Sequence, residues 1–181
     1  MSGKIAVMLL VAALGDLPPA PDDAAIADPA PLLGGAVIEC SDADLSRKTC
    51  SALATFTPDA SGELVNINRT LIDAAAPDLV LTTRFAIHRR GQMLCFRVDD
   101  ASLASPRFEA RGRLVDSDAT RKRQAQFQTM LRPYLGQQIC ETYVRDGGAI
   151  RVEAWVGENR MRDLDRNVVW VTPGDGYILR P

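Results

Sequence analysis

The sequence predicts an α+β domain: a mainly antiparallel sheet with one main helix, at about residues 119–135, packed on it and stapled by disulfides. Three observations support this fold class. Several stretches alternate apolar and polar residues with the period of two of a half-buried strand. One stretch has apolar residues at helical spacing, and four cysteines follow a segment typical of exported proteins. The 181-residue chain, 46% apolar and 24% charged, is long enough to bury a core.

The N-terminal residues have the features of a secretory signal peptide. Lys4 precedes an apolar run at 5–14, and Ala13 and Gly15 suit the positions before a cleavage site at Asp16. We therefore expect residues 1–15 to be a signal peptide and the protein to be periplasmic or secreted, with no membrane span in the mature chain. The alternative is a buried N-terminal strand or helix.

Residues 16–35 are rich in Pro, Ala and Asp, and we expect them to form a disordered leader before a single domain at 36–181. An extended arm lying along the domain is the alternative. Charge is uneven: residues 16–60 carry eight acids against two bases, whereas the chain from 61 onward carries fifteen acids against eighteen bases. This density of positive charge is too low for a nucleic-acid-binding surface.

The first part of the domain predicts a short strand at 36–39, then a helix capped by Ser41 or Asp42. Leu45, Thr49, Ala52 and Leu53 would share one face of that helix. A second strand is predicted at 63–72.

Residues 79–98 predict a hairpin, with its loop at Arg90-Gly91. The pairing that keeps the apolar residues on one face sets Ile87 opposite Leu94 and Phe85 opposite Phe96. The other face then opposes Arg84 and Arg97, an arrangement that favours an anion or a carboxylate partner.

Beyond the hairpin, the sequence predicts a short strand at 111–115 and then the main helix. The buried stripe of that helix would comprise Phe127, Met130, Leu131 and Tyr134. Pro133 should end or kink the helix. Further strands are predicted at 139–145, 149–156, 167–172 and 177–179, and a three-residue loop at 146–148 would oppose Glu141 and Glu153 and turn Cys140 toward the core.

Four cysteines behind a secretory leader favour two disulfides. Of the three possible connectivities, we predict Cys40 with Cys50, which flank one turn, and Cys95 with Cys140, which lie within predicted strands. The second bridge closes the longer loop and should tie the central hairpin to the C-terminal hairpin. A zinc site is the alternative, but the chain lacks the close Cys-x-x-Cys pairs that such sites use.

The residue types that act in catalysis or metal binding form no strong motif in this sequence. We find no Gly-x-Ser-x-Gly elbow, no phosphate-binding loop and no metal-spaced cluster, so we expect no cofactor and no metal. His88, beside a turn, is best read as a solvated residue. The opposed Glu141 and Glu153 are a weak candidate for a general acid/base pair, because mutual repulsion could raise one pKa. An exposed sheet face is the simpler interpretation.

Arginines give the best indication of binding. Arg84, Arg97, Arg111 and Arg113 crowd the hairpin and the connection that follows it, and guanidinium groups recognise carboxylates and phosphates. The simpler alternative is that Arg replaces Lys on a solvated surface, as the bacterial-looking composition of this chain would explain.

We therefore predict an exported bacterial binding or structural module without catalytic activity, with an anionic small molecule as one candidate ligand. The first alternative is an envelope hydrolase that uses the glutamate pair. The second is an inhibitor or accessory subunit of another envelope protein, which would show an exposed apolar patch around Trp155 or Trp170.

Overall fold

The computed structural model describes residues 26–72, 79–115, 117–147 and 149–180, so the predicted signal peptide at 1–15 lies outside the described residues. The strands, in chain order, are β1 (Ile38–Ser41), β2 (Thr49–Cys50), β3 (Ala52–Pro58), β4 (Leu64–Leu71), β5 (Leu79–Arg90), β6 (Met93–Arg97), β7 (Arg107–Ala110), β8 (Arg113–Leu114), β9 (Gln138–Asp146), β10 (Ala149–Val156), β11 (Asn159–Arg160), β12 (Arg166–Val171) and β13 (Ile178–Leu179). The helices are α1 (Asp100–Ala104) and α2 (Asp118–Leu131), with short 3-10 turns at Ala30–Gly34, Arg132–Tyr134, Arg162–Leu164 and Pro173–Asp175.

Eight strands form a closed antiparallel barrel. In chain order β1, β3, β4, β5, β6, β9, β10 and β12 each pair with the next, and β12 pairs back with β1. The predicted α+β class is therefore wrong, although the antiparallel pairing was expected. A barrel of eight strands has an interior just wide enough to be filled by side chains or to hold one small ligand.

The alternation of side chains explains the core. Residues at every second position of each strand point into the barrel. The apolar ones among them form a smaller cluster around Ile139 and a main cluster. Its largest strand side chains are Phe56, Ile87, Leu94, Tyr143 and Val152. The intervening positions form the outer wall, part of which is covered by β2 and the segment around β13.

Residues 26–35 close one end of the barrel. The backbone N–H of Ala27 donates to the carbonyl of Tyr143 at 2.7 Å, and Ile26 bridges Val144. Leu32 is fully buried in the barrel cluster. The prediction of a disordered leader is thus wrong for residues 26–35, which follow the alternative of an arm packed along the domain, while 16–25 lie outside the described residues.

Helix α2 lies at the other end of the barrel and is not packed on the face of a sheet. Ser117 caps it, since its side chain accepts a hydrogen bond from the N–H of Thr120. The helix gives way to a 3-10 turn that contains Pro133, as predicted. Of the predicted stripe, Leu131 and Tyr134 pack against the buried cluster formed by Val98, Ile139 and Ala154. The rest of the stripe is open: Phe127 is half-buried and the side chain of Met130 is 57% exposed.

The helix predicted after Ser41 is wrong. This segment instead forms a tight turn between β1 and β2, in which the Asp44 carboxylate accepts hydrogen bonds from Ser46 and Arg47. Leu45, which was expected on the buried face, is 64% exposed. The disulfide between Cys40 and Cys50 holds the two ends of the turn together.

The two hairpins differ from their predicted registers. In the central hairpin the loop is Gly91-Gln92, so Ile87 opposes Phe96 instead of Leu94. The faces are preserved because the shift is two positions. In the C-terminal hairpin Asp146 pairs with Ala149, a shift of one position, so Cys140 opposes Trp155 on the outer wall and does not face the core.

The structure contains both predicted disulfides, Cys40 with Cys50 and Cys95 with Cys140. Cys95 and Cys140 are directly opposed on the neighbouring strands β6 and β9. This bridge therefore joins the central hairpin to the C-terminal hairpin, as the sequence predicted.

Candidate functional site

A cluster of ionised side chains lies inside the barrel. Arg166, on β12, donates to Glu39 on β1 at 2.7 Å and to Glu141 on β9 at 2.7 Å. The hydroxyl of Tyr143 donates to the second oxygen of Glu39 at 2.8 Å. Glu39 is 1% exposed and Tyr143 is fully buried, so these interactions are largely shielded from water.

The surroundings fix the charge states of the cluster. Burial, followed by the adjacent negative charge of Glu39, raises the pKa of Tyr143 well above its ordinary value of 10.0, so the phenol stays neutral and donates. Burial by itself would lower the pKa of Arg166. The two carboxylates outweigh that effect and raise the pKa of Arg166 well above its ordinary value.

The guanidinium of Arg166 is bound by carboxylates on both sides: Nε and Nη2 contact Glu39, and Nη1 and Nη2 contact Glu141. Because its hydrogen bonds are already made to carboxylates on β1 and β9, the Arg166 guanidinium is suited to holding three strands together across the barrel and less suited to binding a substrate. We therefore assign a structural role to this cluster.

The predicted glutamate pair is split between the two faces of the barrel wall. Glu141 opposes Ala154 and points inward, whereas Glu153 opposes Thr142 on the outer wall. Glu153 is instead held by Arg151 and Arg160, each at 2.9 Å. The structure therefore does not bring Glu141 and Glu153 together.

The four arginines that the sequence singled out are distributed over the outer wall. Arg84 opposes Ile67 and pairs with Asp59 at 2.9 Å, while Arg97 opposes Gln138 and donates to the carbonyl of Gly136 at 3.1 Å. The predicted opposition of Arg84 and Arg97 is therefore wrong. Arg111 lies in the turn between β7 and β8, and Arg113 is the exposed first residue of β8.

His88 is exposed on the outer wall, as expected, and contacts the side chain of Gln138. The predicted tryptophan patch is not a single surface. Trp155 is half-buried on the outer wall, whereas Trp170 points into the barrel and its ring packs edge-on against Tyr143 with centroids 5.8 Å apart.

An open groove of about 560 Å³ lies between helix α2 and the barrel. Ile72, Leu81 and Phe108 form its floor, and Leu81 occupies an inward-facing position of β5. Helix α2 supplies the opposite wall. The helix residues that line the groove are Lys122, Arg123, Gln126, Phe127 and Met130.

This groove combines an apolar floor with two basic side chains. The sequence predicted Phe127 and Met130 only as part of the buried stripe of a helix, and did not single out Lys122 as a binding residue. The position of the groove depends on β5 and β7 meeting α2, a contact between distant segments. The one local signal was the low apolar content of the helix, which leaves Phe127 and Met130 only partly covered.

Comparisons with protein-family models, with curated proteins and with solved structures found no match. Within the described ranges, no helix has the length and apolar character needed to cross a membrane. Among the same residues, no group of three or more His, Cys, Asp or Glu side chains is arranged to hold a metal ion. A proposal on function therefore depends on the surfaces of the barrel alone.

Proposed function

We propose that this protein is an exported, disulfide-stabilised binding module that takes an anionic amphiphile, such as a long-chain carboxylate, in the groove between α2 and the barrel. The observation that carries the proposal is the groove itself, whose apolar floor is bordered by Lys122 and Arg123. Its volume of about 560 Å³ falls in the range of small-molecule sites, and such sites occur in the mouths of barrels.

The chemistry of the walls selects the ligand class. An alkyl chain would cover Phe108, Phe127 and Met130, and each methylene removed from water contributes about 0.8 kcal/mol. A carboxylate at the rim would lie near Lys122 and Arg123, where an opposite charge is favourable and sensitive to salt. A catalytic role is less well supported, because the glutamates offered for it face opposite sides of the wall.

Calorimetry can test this proposal with three probes of equal chain length, used below their micelle-forming concentrations. We expect dodecanoate to bind saturably, dodecyl maltoside to bind more weakly, and dodecyltrimethylammonium to bind least. In the series octanoate, decanoate and dodecanoate, each added methylene that enters the groove should tighten binding by up to about fourfold.

Variants locate the site. Met130→Ser and Lys122→Gln alter exposed groove residues, so both should fold and both should weaken dodecanoate binding several-fold. Arg162→Gln, which removes an exposed charge outside the groove lining, is the matched control and should bind as the wild type does. Equal binding of the cationic and anionic probes, or binding unchanged by both groove variants, would contradict the proposal.

A further inference from the structure

A second groove, of about 410 Å³, lies on the outer wall of the barrel, away from α2. Leu53 of β3 and Val80 of β5 contribute to its floor. Three arginines line it: Arg69 on β4, Arg111 in the β7–β8 turn and Arg180 after β13. Among the described residues that line it, Glu109 is the one acid, and its carboxylate is 3.8 Å from the guanidinium of Arg69, an ion pair beyond hydrogen-bond distance.

The backbone at Arg111 is unusual for an arginine. Strands β7 and β8 are joined by the two-residue loop Arg111-Gly112, and both residues have positive φ, +53° and +73°. This is the pattern of a type I′ turn, in which Asn, Asp or Gly is strongly preferred at the first position. For other residues positive φ is unfavourable, because Cβ lies too close to the following carbonyl oxygen. The turn therefore carries an arginine where its own backbone favours a smaller residue.

The third arginine is held in place by long-range contacts. Strand β13 pairs with β2 in parallel, and the N–H of Arg180 donates to the carbonyl of Cys50 at 3.1 Å. Cys50 is itself bound to Cys40. Residues from three distant parts of the chain thus line one groove and are positioned by strands, a tight turn and a disulfide.

We infer that this groove is a binding site for a multiply charged oxyanion, either a phosphate ester or a polycarboxylate. Guanidinium groups bind both classes of anion through paired hydrogen bonds. Leu53, Val80 and Tyr177 offer contact area for the organic part of such a ligand. The site is separate from the α2 groove and takes a hydrophilic ligand.

Binding can be measured at low ionic strength with inorganic phosphate, citrate and acetate, none of which has an alkyl chain for the α2 groove. We expect saturable binding of phosphate or citrate and at least tenfold weaker binding of acetate. A preference for phosphate over citrate would indicate a phosphate ester as the ligand, and the reverse a polycarboxylate.

Arg111→Asn is the most informative variant, since it gives the turn a preferred residue and removes the guanidinium. We expect its thermal midpoint to equal or exceed that of the wild type while the preferred anion binds at least tenfold more weakly. Arg180→Gln should weaken binding to a similar extent. It provides the test of the site if Arg111→Asn turns out to lower stability. Arg113→Asn, in the same hairpin but outside the groove lining, is the control and should bind normally.

Three outcomes would overturn the inference: no saturable binding of any of the three anions, wild-type binding by Arg111→Asn and Arg180→Gln, or an equal loss in Arg113→Asn. The last result would indicate a diffuse effect of surface charge. None of these outcomes bears on dodecanoate binding, because the two grooves have different linings.

Discussion

Arg166 shares its guanidinium between two carboxylates inside the barrel, one of which water hardly reaches. Removal of this cation would leave Glu39 as a buried charge without its ion-pair partner, although the hydrogen bond from Tyr143 would remain. We therefore expect Arg166→Met to lower the free energy of unfolding by about 3–5 kcal/mol in urea titrations. Arg84→Met, which breaks an exposed pair with Asp59, is the control and should cost about 1 kcal/mol or less. Equal losses in the two variants would contradict the structural role of the cluster.

Tyr143 should make the protein sensitive to alkali. Its pKa is higher in the folded state than in the unfolded chain, so the fold retains a proton that the unfolded chain releases above about pH 10. The stabilisation is complete below that pH, and above it the unfolding free energy falls by up to about 1.4 kcal/mol per pH unit.

Tyr143→Phe removes this titration and should flatten the dependence of unfolding free energy on pH above 10, as measured in urea titrations at several alkaline pH values. At neutral pH the same variant should cost about 1–3 kcal/mol, since one oxygen of Glu39 loses its donor. Tyr134→Phe keeps Tyr143 and should retain the alkaline slope. If the unfolding free energy of Tyr143→Phe still fell with pH as steeply as that of the wild type, groups other than Tyr143 would be responsible for the loss of stability in alkali.

At the scale of elements, the two disulfides constrain loops of different length. Replacement of the two cysteines of one bridge by serine should lower the free energy of unfolding. The expected loss is about 2.7 kcal/mol for Cys40–Cys50, with a separation of 10 residues, and about 4 kcal/mol for Cys95–Cys140, with a separation of 45. Urea titration of the two double variants measures the difference. The reverse order would mean that the Cys40–Cys50 bridge contributes more than loop closure, for example by holding β2 against β13.

Local patterns predicted individual strands better than the contacts between them. Strand β5 begins at Leu79, as the alternation predicted, and ends at Arg90, one residue later than the predicted loop allowed. The hairpin register was missed because Gly91, with φ +60°, occupies the first loop position, as a type II′ turn requires, and the loop had been placed one residue earlier. The helix expected after Ser41 does not form. Residues that cap helices also form turns, and here Asp44 forms a turn.

The N-terminal arm is an element that composition concealed. Residues 26–35 resemble a flexible leader, yet Leu32 is fully buried among the side chains that fill the barrel. Leu32→Ala should therefore cost about 2–5 kcal/mol of unfolding free energy in chemical denaturation. Leu45→Ala, at an exposed leucine, should change stability by no more than about 0.5 kcal/mol. If both variants were equally stable, the arm would contribute nothing to the fold.

At the scale of the whole molecule, we expect the chain to be exported and oxidised. Mass spectrometry of protein produced with its natural N-terminus in a bacterial host should find a chain that begins at Asp16. No cysteine should react with an alkylating reagent before reduction, because both disulfides would already be formed. A chain that retains Met1 and has four reactive thiols would contradict export.

The closure of the sheet into a barrel could not be predicted from the sequence. A period of two is the same in an open sheet and in a closed one, so the pattern of residues 36–58 and 166–171 does not reveal that β1 meets β12. The candidate sites share this limit. Lys122 and Arg111 each line a groove with residues that are far away in the chain, and nothing near them in sequence identifies those neighbours.

The pairing of β1 with β12 has a consequence for how the protein is made. All other neighbouring pairs in the barrel join barrel strands that are consecutive in the chain, so a curved ribbon can grow strand by strand. The remaining pair, β1 with β12, joins the first and the last strands of the barrel, and pairing between segments so far apart in the chain is slow. Until β12 is formed, β1 has an unpaired edge that favours misassociation with other chains, and a chaperone that covers this edge would prevent it.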